Sequence, residues 1–125
     1  MAKILVIEDS NLMKLYLRRC LENHGFEVED WTPLSAMEVP DKITSSAPDL
    51  VLTDYQMAGC NGATVARMVQ KANPKVPVIG LTADRSEEIV TNLKKFNVKQ
   101  ILYKPVDPEA LAKAVKEELE QAAQG

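Results

Sequence analysis

The sequence predicts an α/β fold: a doubly wound, five-stranded parallel sheet with helices on both faces, a three-layer sandwich. Two observations carry that expectation. Short apolar, β-branched runs alternate five times with amphipathic stretches, with no internal repeat or low-complexity tract. Several of those runs are unbroken rather than alternating, as strands covered on both faces are. Such a pattern implies right-handed crossovers, and strand order 2-1-3-4-5 is the common arrangement for five units.

Lys3-Ile4-Leu5-Val6-Ile7 has the buried-strand pattern and ends on the adjacent acids Glu8 and Asp9. Ser10 suits a helix N-cap. Met13, Tyr16, Leu17, Cys20, Leu21 and His24 then follow at the spacing of one helical face, broadened by Leu12 and Leu15, until Gly25 stops the helix. Residues 26–31 alternate apolar and charged, as an edge strand does, and their acids discourage edge-to-edge pairing. From 32 to 47 the signal is mixed. Leu34, Met37 and Ile43 suggest a helix, but Pro40 inside it would cost ~3 kcal/mol. A short helical turn, a break between Val39 and Pro40, and a second piece from Asp41 are expected, in an irregular or mobile region.

Leu50-Val51-Leu52-Thr53-Asp54 is a short apolar run that ends abruptly on a carboxylate, with turn-type sequence directly after it. Asn61 can cap the next helix, whose core face is Val65, Met68, Val69 and Ala72, and which Asn73-Pro74 ends. Residues 76–83 form a further buried strand, with Pro77 near its start where a missing donor is tolerable. Ser86-Glu87-Glu88 starts a helix with Ile89, Leu93 and Phe96 inward, and residues 100–104 make the fifth strand. Asp107-Pro108 gives an N-cap followed by proline at the first helical position. Leu111, Ala114, Val115, Leu119 and Ala122 line the last helix, expected to run to Gly125.

Length and composition narrow the function classes. The 125 residues suit a single domain, 1–125, with no appended output domain expected. A net charge of −3 without a block of like charges argues against direct nucleic-acid or anionic-membrane binding. Cys20 and Cys60 form no CxxC and read as reduced thiols. His24, the sole histidine, excludes a multi-histidine metal site and suits a helix C-terminus. Lys3, Glu8 and Asp9 interrupt the only apolar run near the start, so no signal peptide is visible. Nothing approaches the ~20 apolar residues of a membrane span. The cytoplasm is the expected location.

In an open α/β sheet, ligands bind at the carboxyl ends of the strands, at the point where strand order reverses. Order 2-1-3-4-5 brings Glu8, Asp9 and Asp54 together there. Each has a structural alternative: Asp54 could open an Asx turn, and Glu8 and Asp9 could favour a helix N-terminus. Three converging carboxylates repel unless a cation joins them, and Mg²⁺ takes such oxygen ligands together with phosphate. Thr82 ends the fourth strand with a hydroxyl and Lys104 the fifth with an ammonium, both natural partners for a phosphoryl group. A carboxylate can act as the nucleophile in such a site, giving an aspartyl-phosphate. Alone, Thr82 reads equally well as a strand-end hydroxyl and Lys104 as a surface lysine. Their joint placement is what argues for a site.

These motifs resemble those of response-regulator receiver domains, the phosphoacceptors of two-component signalling, with the flavodoxin-like (βα)5 fold of the chemotaxis regulators. The resemblance rests on Ile7-Glu8-Asp9-Ser10, Leu52-Thr53-Asp54-Tyr55-Gln56-Met57, Asn61-Gly62, Leu81-Thr82-Ala83 and Tyr103-Lys104-Pro105. It implies that Asp54 accepts a phosphoryl group from the phosphohistidine of a sensor histidine kinase or a histidine phosphotransfer protein. It implies Mg²⁺ held by Asp9 and Asp54, by Glu8 through a water, and by the Gln56 backbone carbonyl, with Lys104 on the phosphate and a cis Lys104–Pro105 bond. Thr82 and Tyr103 would be the switch residues, biasing a surface of the fourth helix, fifth strand and fifth helix toward a downstream effector or a phosphorylation-dependent dimer. Gln56 and Asp84 would tune phosphoryl lifetime. The protein would turn over no metabolite, catalysing only its own phosphorylation and dephosphorylation. Departures from the family pattern are Glu8 for aspartate, Ala58 for proline (implying a looser loop), Cys60 for an apolar residue, and Pro40. A haloacid-dehalogenase-type phosphatase would need a DxD after the first strand, and a flavodoxin a Ser/Thr/Gly-rich loop there; both are missing. A phosphate-independent pseudo-receiver remains as the alternative.

Overall fold

The structure, a computed structural model, describes residues 1–124; Gly125, the expected end of the last helix, lies outside the described residues. Strands β1 (Lys3–Ile7), β2 (Glu27–Trp31), β3 (Leu50–Asp54), β4 (Val78–Thr82) and β5 (Gln100–Tyr103) pair in parallel in the order β2-β1-β3-β4-β5. Helices α1 (Asn11–Glu22), α2 (Val39–Ser46), α3 (Gly62–Ala72), α4 (Glu87–Lys95) and α5 (Pro108–Gln124) form the outer layers. Successive strand residues point to opposite faces. Ile4, Val6, Leu50 and Leu52 therefore pack with Leu17, Leu21, Leu111 and Val115 of α1 and α5. Leu5, Ile7 and Val51 pack with Ile43, Val65, Val69 and Leu93 of α2, α3 and α4. With both faces covered, β1, β3 and β4 read as continuous apolar runs.

The expected caps are in place. Main-chain N–H groups of Met13, Thr64 and Ala110 donate to the side chains of Ser10 (3.2 Å), Asn61 (2.9 Å) and Asp107 (2.9 Å). His24 sits past the end of α1, its Nδ1 2.8 Å from the Cys20 carbonyl oxygen. Both cysteines are free thiols.

Several expectations are corrected. Leu12 and Leu15 do not broaden the core face of α1: they are 79% and 45% exposed, because the helix buries only the narrow stripe Leu17, Cys20, Leu21. Ala72 and Ala122 are exposed, while Ala63 and Ala66 are buried where α3 lies against the sheet. The second strand starts at Glu27, β4 at Val78, and β5 stops at Tyr103. The expected helical turn exists as a 3₁₀ segment, Ala36–Glu38, held by a reciprocal Ser35/Glu38 capping box. The second piece begins at Val39 rather than Asp41. Pro40 occupies the second position of α2, where a missing N–H removes no intrahelical bond, so it starts the helix rather than breaking it.

Candidate functional site

Sheet register builds the site. Ile7 is level with Thr53, so Glu8 and Asp54 leave β1 and β3 side by side. Asp54 is level with Leu81, and Thr82 with Tyr103, which sets Lys104 one step beyond the edge. Ligand oxygens of Glu8, Asp9 and Asp54 lie within 4.8 Å of one another. Glu8 and Asp54 are buried, and Asp9 is exposed at the rim. The Lys104 ammonium stands 3.1 Å from Asp54 Oδ1 and 3.4 Å from Glu8 Oε2. Asp54 is thus in contact with Lys104 and within ligand distance of Asp9.

Among the described residues one ammonium serves this cluster of three carboxylates, touching Asp54 and Glu8. Burial, and next the charge of Asp54, push the Glu8 carboxyl up to about 7, against the opposing pull of Lys104 and the Ser10 N–H. This is an acidic cluster short of positive charge. Its donors are all hard carboxylate oxygens, a set that suits Mg²⁺ rather than a thiophilic or imidazole-preferring metal. A surface cavity of about 660 Å³ opens elsewhere, at the amino edge of the sheet beside Pro77, Phe96 and Ala122.

The loop after β3 is tied back to the acids by one main-chain contact. The Ala58 N–H, a donor that proline would lack, is 3.2 Å from Asp9 Oδ2. A Cβ on Gly59 would come within 2.3 Å of the Leu34 carbonyl oxygen, so only glycine fits this approach of the two loops. Gln56, exposed, bridges to Asn61. At Gly62 an added Cβ would stand 2.8 Å from the Asp54 carbonyl oxygen and 2.9 Å from Tyr55 Cα. Glycine is what lets α3 begin against the end of β3.

Thr82 and Tyr103 flank the acids without joining them. The buried Thr82 hydroxyl accepts from the Asp84 N–H (3.0 Å) and donates to the Asp84 carbonyl (3.2 Å). Asp84 itself is exposed, its carboxylate accepting from the Ser86 N–H at 2.9 Å. Tyr103 is half-buried, with the Arg85 guanidinium 4.2 Å from its ring centroid. The Lys104–Pro105 bond is cis. Three groups here escaped sequence reasoning. They are the Ala58 amide, Arg85, and Asn92, whose Nδ2 donates to the Tyr55 hydroxyl at 3.2 Å. No motif marks a residue that acts through a loop amide or a stacked cation. The Ala58 departure from proline was the one visible trace.

A family model, the response regulator receiver domain, matches residues 4–116. The chain is 33% identical to Protein PilH of Pseudomonas aeruginosa over 120 residues, covering 92% of this chain and 95% of that one. It is 35% identical to the transcriptional regulatory protein GlrR of Escherichia coli, covering 96% of this chain but 26% of GlrR. A crystal structure of a CheY-like receiver domain protein from Methanospirillum hungatei superposes with a TM-score of 0.89 at 25% identity, covering 99% and 98% of the two chains. The chain therefore belongs to the response-regulator receiver family of two-component systems, whose members are signalling phosphoacceptors rather than metabolic enzymes. No helix among the described residues is long and apolar enough to cross a membrane.

Proposed function

We propose that this chain is a phosphorylation switch or phosphorelay intermediate in which Asp54 takes a phosphoryl group from a phosphohistidine. One observation carries the reading: a buried carboxylate at the carboxyl end of the central strand touches an ammonium and stands within ligand distance of two further acids. An Asp54 carboxylate oxygen attacks phosphorus, a P–O bond forms and the P–N bond breaks. The imidazole, protonated on its other nitrogen, leaves neutral. Glu8, Asp9, Asp54 and the Gln56 carbonyl would hold Mg²⁺, which when bound offsets charge on the phosphoryl oxygens. Lys104, already on Asp54, would neutralise a further oxygen and hold the nucleophile in place. The Thr82 hydroxyl would leave Asp84 for the phosphoryl group, Tyr103 would move inward, and the α4–β5–α5 surface would change its affinity for an effector or a second copy. Gln56 and Asp84, both exposed beside the site, would govern water access and so phosphoryl lifetime.

The test is direct. Incubated with Mg²⁺ and a small phosphodonor, the protein should gain an acid-stable, base-labile phosphoryl mass that Asp54→Asn abolishes and EDTA suppresses. Failure of the wild type with several donors, together with no Mg²⁺ binding, would return the reading to a phosphate-independent interaction module.

A further inference from the structure

The three residues after β4 hold both switch side chains at once. The Asp84 main chain occupies the donor and the acceptor capacity of the Thr82 hydroxyl. Arg85, the next residue, lays its guanidinium over the Tyr103 ring at 4.2 Å from the centroid. No carboxylate pairs with that guanidinium among the described residues, although Asp84, Glu87 and Glu88 flank it in sequence. Among the described residues the guanidinium makes no hydrogen bond or ion pair, and the stack on Tyr103 is what engages it. Arg85 is exposed, and residues 83–86 of its turn are all exposed, so its removal takes nothing from the core.

We infer that Arg85 is a positioning residue that latches the phosphoryl-free state, holding Tyr103 by its stacked guanidinium while its own turn holds Thr82. The inference rests on the phosphoacceptor reading above. A ring that must move inward on activation first has to leave the cation. A turn that must release the Thr82 hydroxyl carries Arg85 with it, so either movement loosens the other. The latch adds to the free energy that phosphorylation has to overcome.

The sign of the effect separates this role from simple electrostatics. A cation beside an anion site favours anion binding, so deleting it should weaken the binding of a phosphoryl mimic. Deleting a latch should tighten that binding. The probe is beryllium fluoride with Mg²⁺, followed through the Tyr103 ring signals in NMR spectra of the whole chain. Arg85→Ala should move the free-state Tyr103 signal toward its beryllium-fluoride-bound position and lower the titration midpoint roughly two- to fivefold, the worth of an exposed cation–π contact. Arg85→Lys, which keeps charge but loses the flat overlap, should fall between. In a Tyr103→Leu background, with the midpoint read from the main-chain amide signals of Thr82 and Asp84, the Arg85→Ala effect should vanish. A raised or unchanged midpoint, or an effect that persists without Tyr103, overturns the latch alone. A wild type that binds no beryllium fluoride overturns the phosphoacceptor reading, and the latch with it.

Discussion

Two charge clusters in this molecule use the same ingredients in opposite proportion. On edge strand β2, Glu29 accepts from the Lys3 ammonium at 3.2 Å, from Lys42, and from the Ser46 hydroxyl at 2.9 Å. Its carboxyl is lowered to about 2, chiefly by the Lys42 hydrogen bond. At the carboxyl edge of β1 and β3, Lys104 is the one cation among the described residues paired into the cluster of Glu8, Asp9 and Asp54, and Glu8 is raised to about 7. The first cluster is finished by the fold itself. The second is left short of cations, and the surrounding apolar packing bears the cost. A structural ion pair and a ligand site are thus told apart by which side of neutrality the fold leaves them on.

The largest effect should come from breaking the unfinished cluster. In EDTA above pH 7, Glu8→Gln should raise stability to urea by up to about 3 kcal/mol, since each pKa unit corresponds to ~1.4 kcal/mol. The same change should abolish most of the stabilisation that millimolar Mg²⁺ gives the wild type, which for a ligand at a hundred times its Kd is about 2.7 kcal/mol. The pH dependence follows with its sign. Glu8 has a folded pKa above its ordinary value of 4.5, so its contribution is fully present below pH 4.5 and is lost as pH rises through about 7. The metal-free wild type should therefore weaken across that window, and Glu8→Gln should not. A Glu8→Gln protein weaker than wild type in EDTA would show that burial of the Glu8 charge beside Asp54 is not what dominates the cluster.

Glu29 should mirror this behaviour in acid. Its folded pKa lies below the ordinary value, so its contribution is present above pH 4.5 and is lost as pH falls through about 2. The side chain is about a third exposed, with 32% of its surface open, so solvent screening discounts the worth of the network to about 1 kcal/mol. Glu29→Gln should cost roughly that much at pH 7 and flatten the acid limb. Metal-free wild type should then be most stable near pH 4.5 to 5, between the two declines. Each substitution should remove one limb only.

How much of this contrast could be read from the chain differs between the clusters. The acids at the strand ends were legible because a parallel sheet delivers the residue after each strand to one edge. Five apolar runs sufficed to place Glu8, Asp54, Thr82 and Lys104 there. Glu29 was legible only as an acid that protects an edge, since its cations come from β1 and α2 and depend on the depth at which α2 packs. That depth was hidden by Pro40, whose cost in a helix interior masked its ease in a first turn. Leu12 and Leu15 show the same limit from another side. Spacing finds the apolar stripe but not its width, which the neighbouring layer sets. The Ala58 amide on Asp9 and Arg85 on Tyr103 are contacts between separate loops, and no periodicity encodes them.

The smallest effect distinguishes screening from coordination. Sodium chloride at 1 M shortens the Debye length to about 3 Å, which weakens the partly exposed attraction around Glu29. The expected loss at pH 7 is a few tenths of a kcal/mol, and Glu29→Gln should erase it. The Glu8–Asp54 repulsion lies beneath the surface and is screened far less, so the same salt should recover little of what Mg²⁺ recovers. Mg²⁺ at a few millimolar adds almost nothing to ionic strength, so its effect has to come from contact. Urea unfolding in EDTA, in Mg²⁺, and in sodium chloride matched to the Mg²⁺ ionic strength separates the two. If matched sodium chloride stabilises the protein as much as Mg²⁺ does, the acids at the carboxyl edge are merely crowded, and the contrast with Glu29 is one of density rather than of purpose.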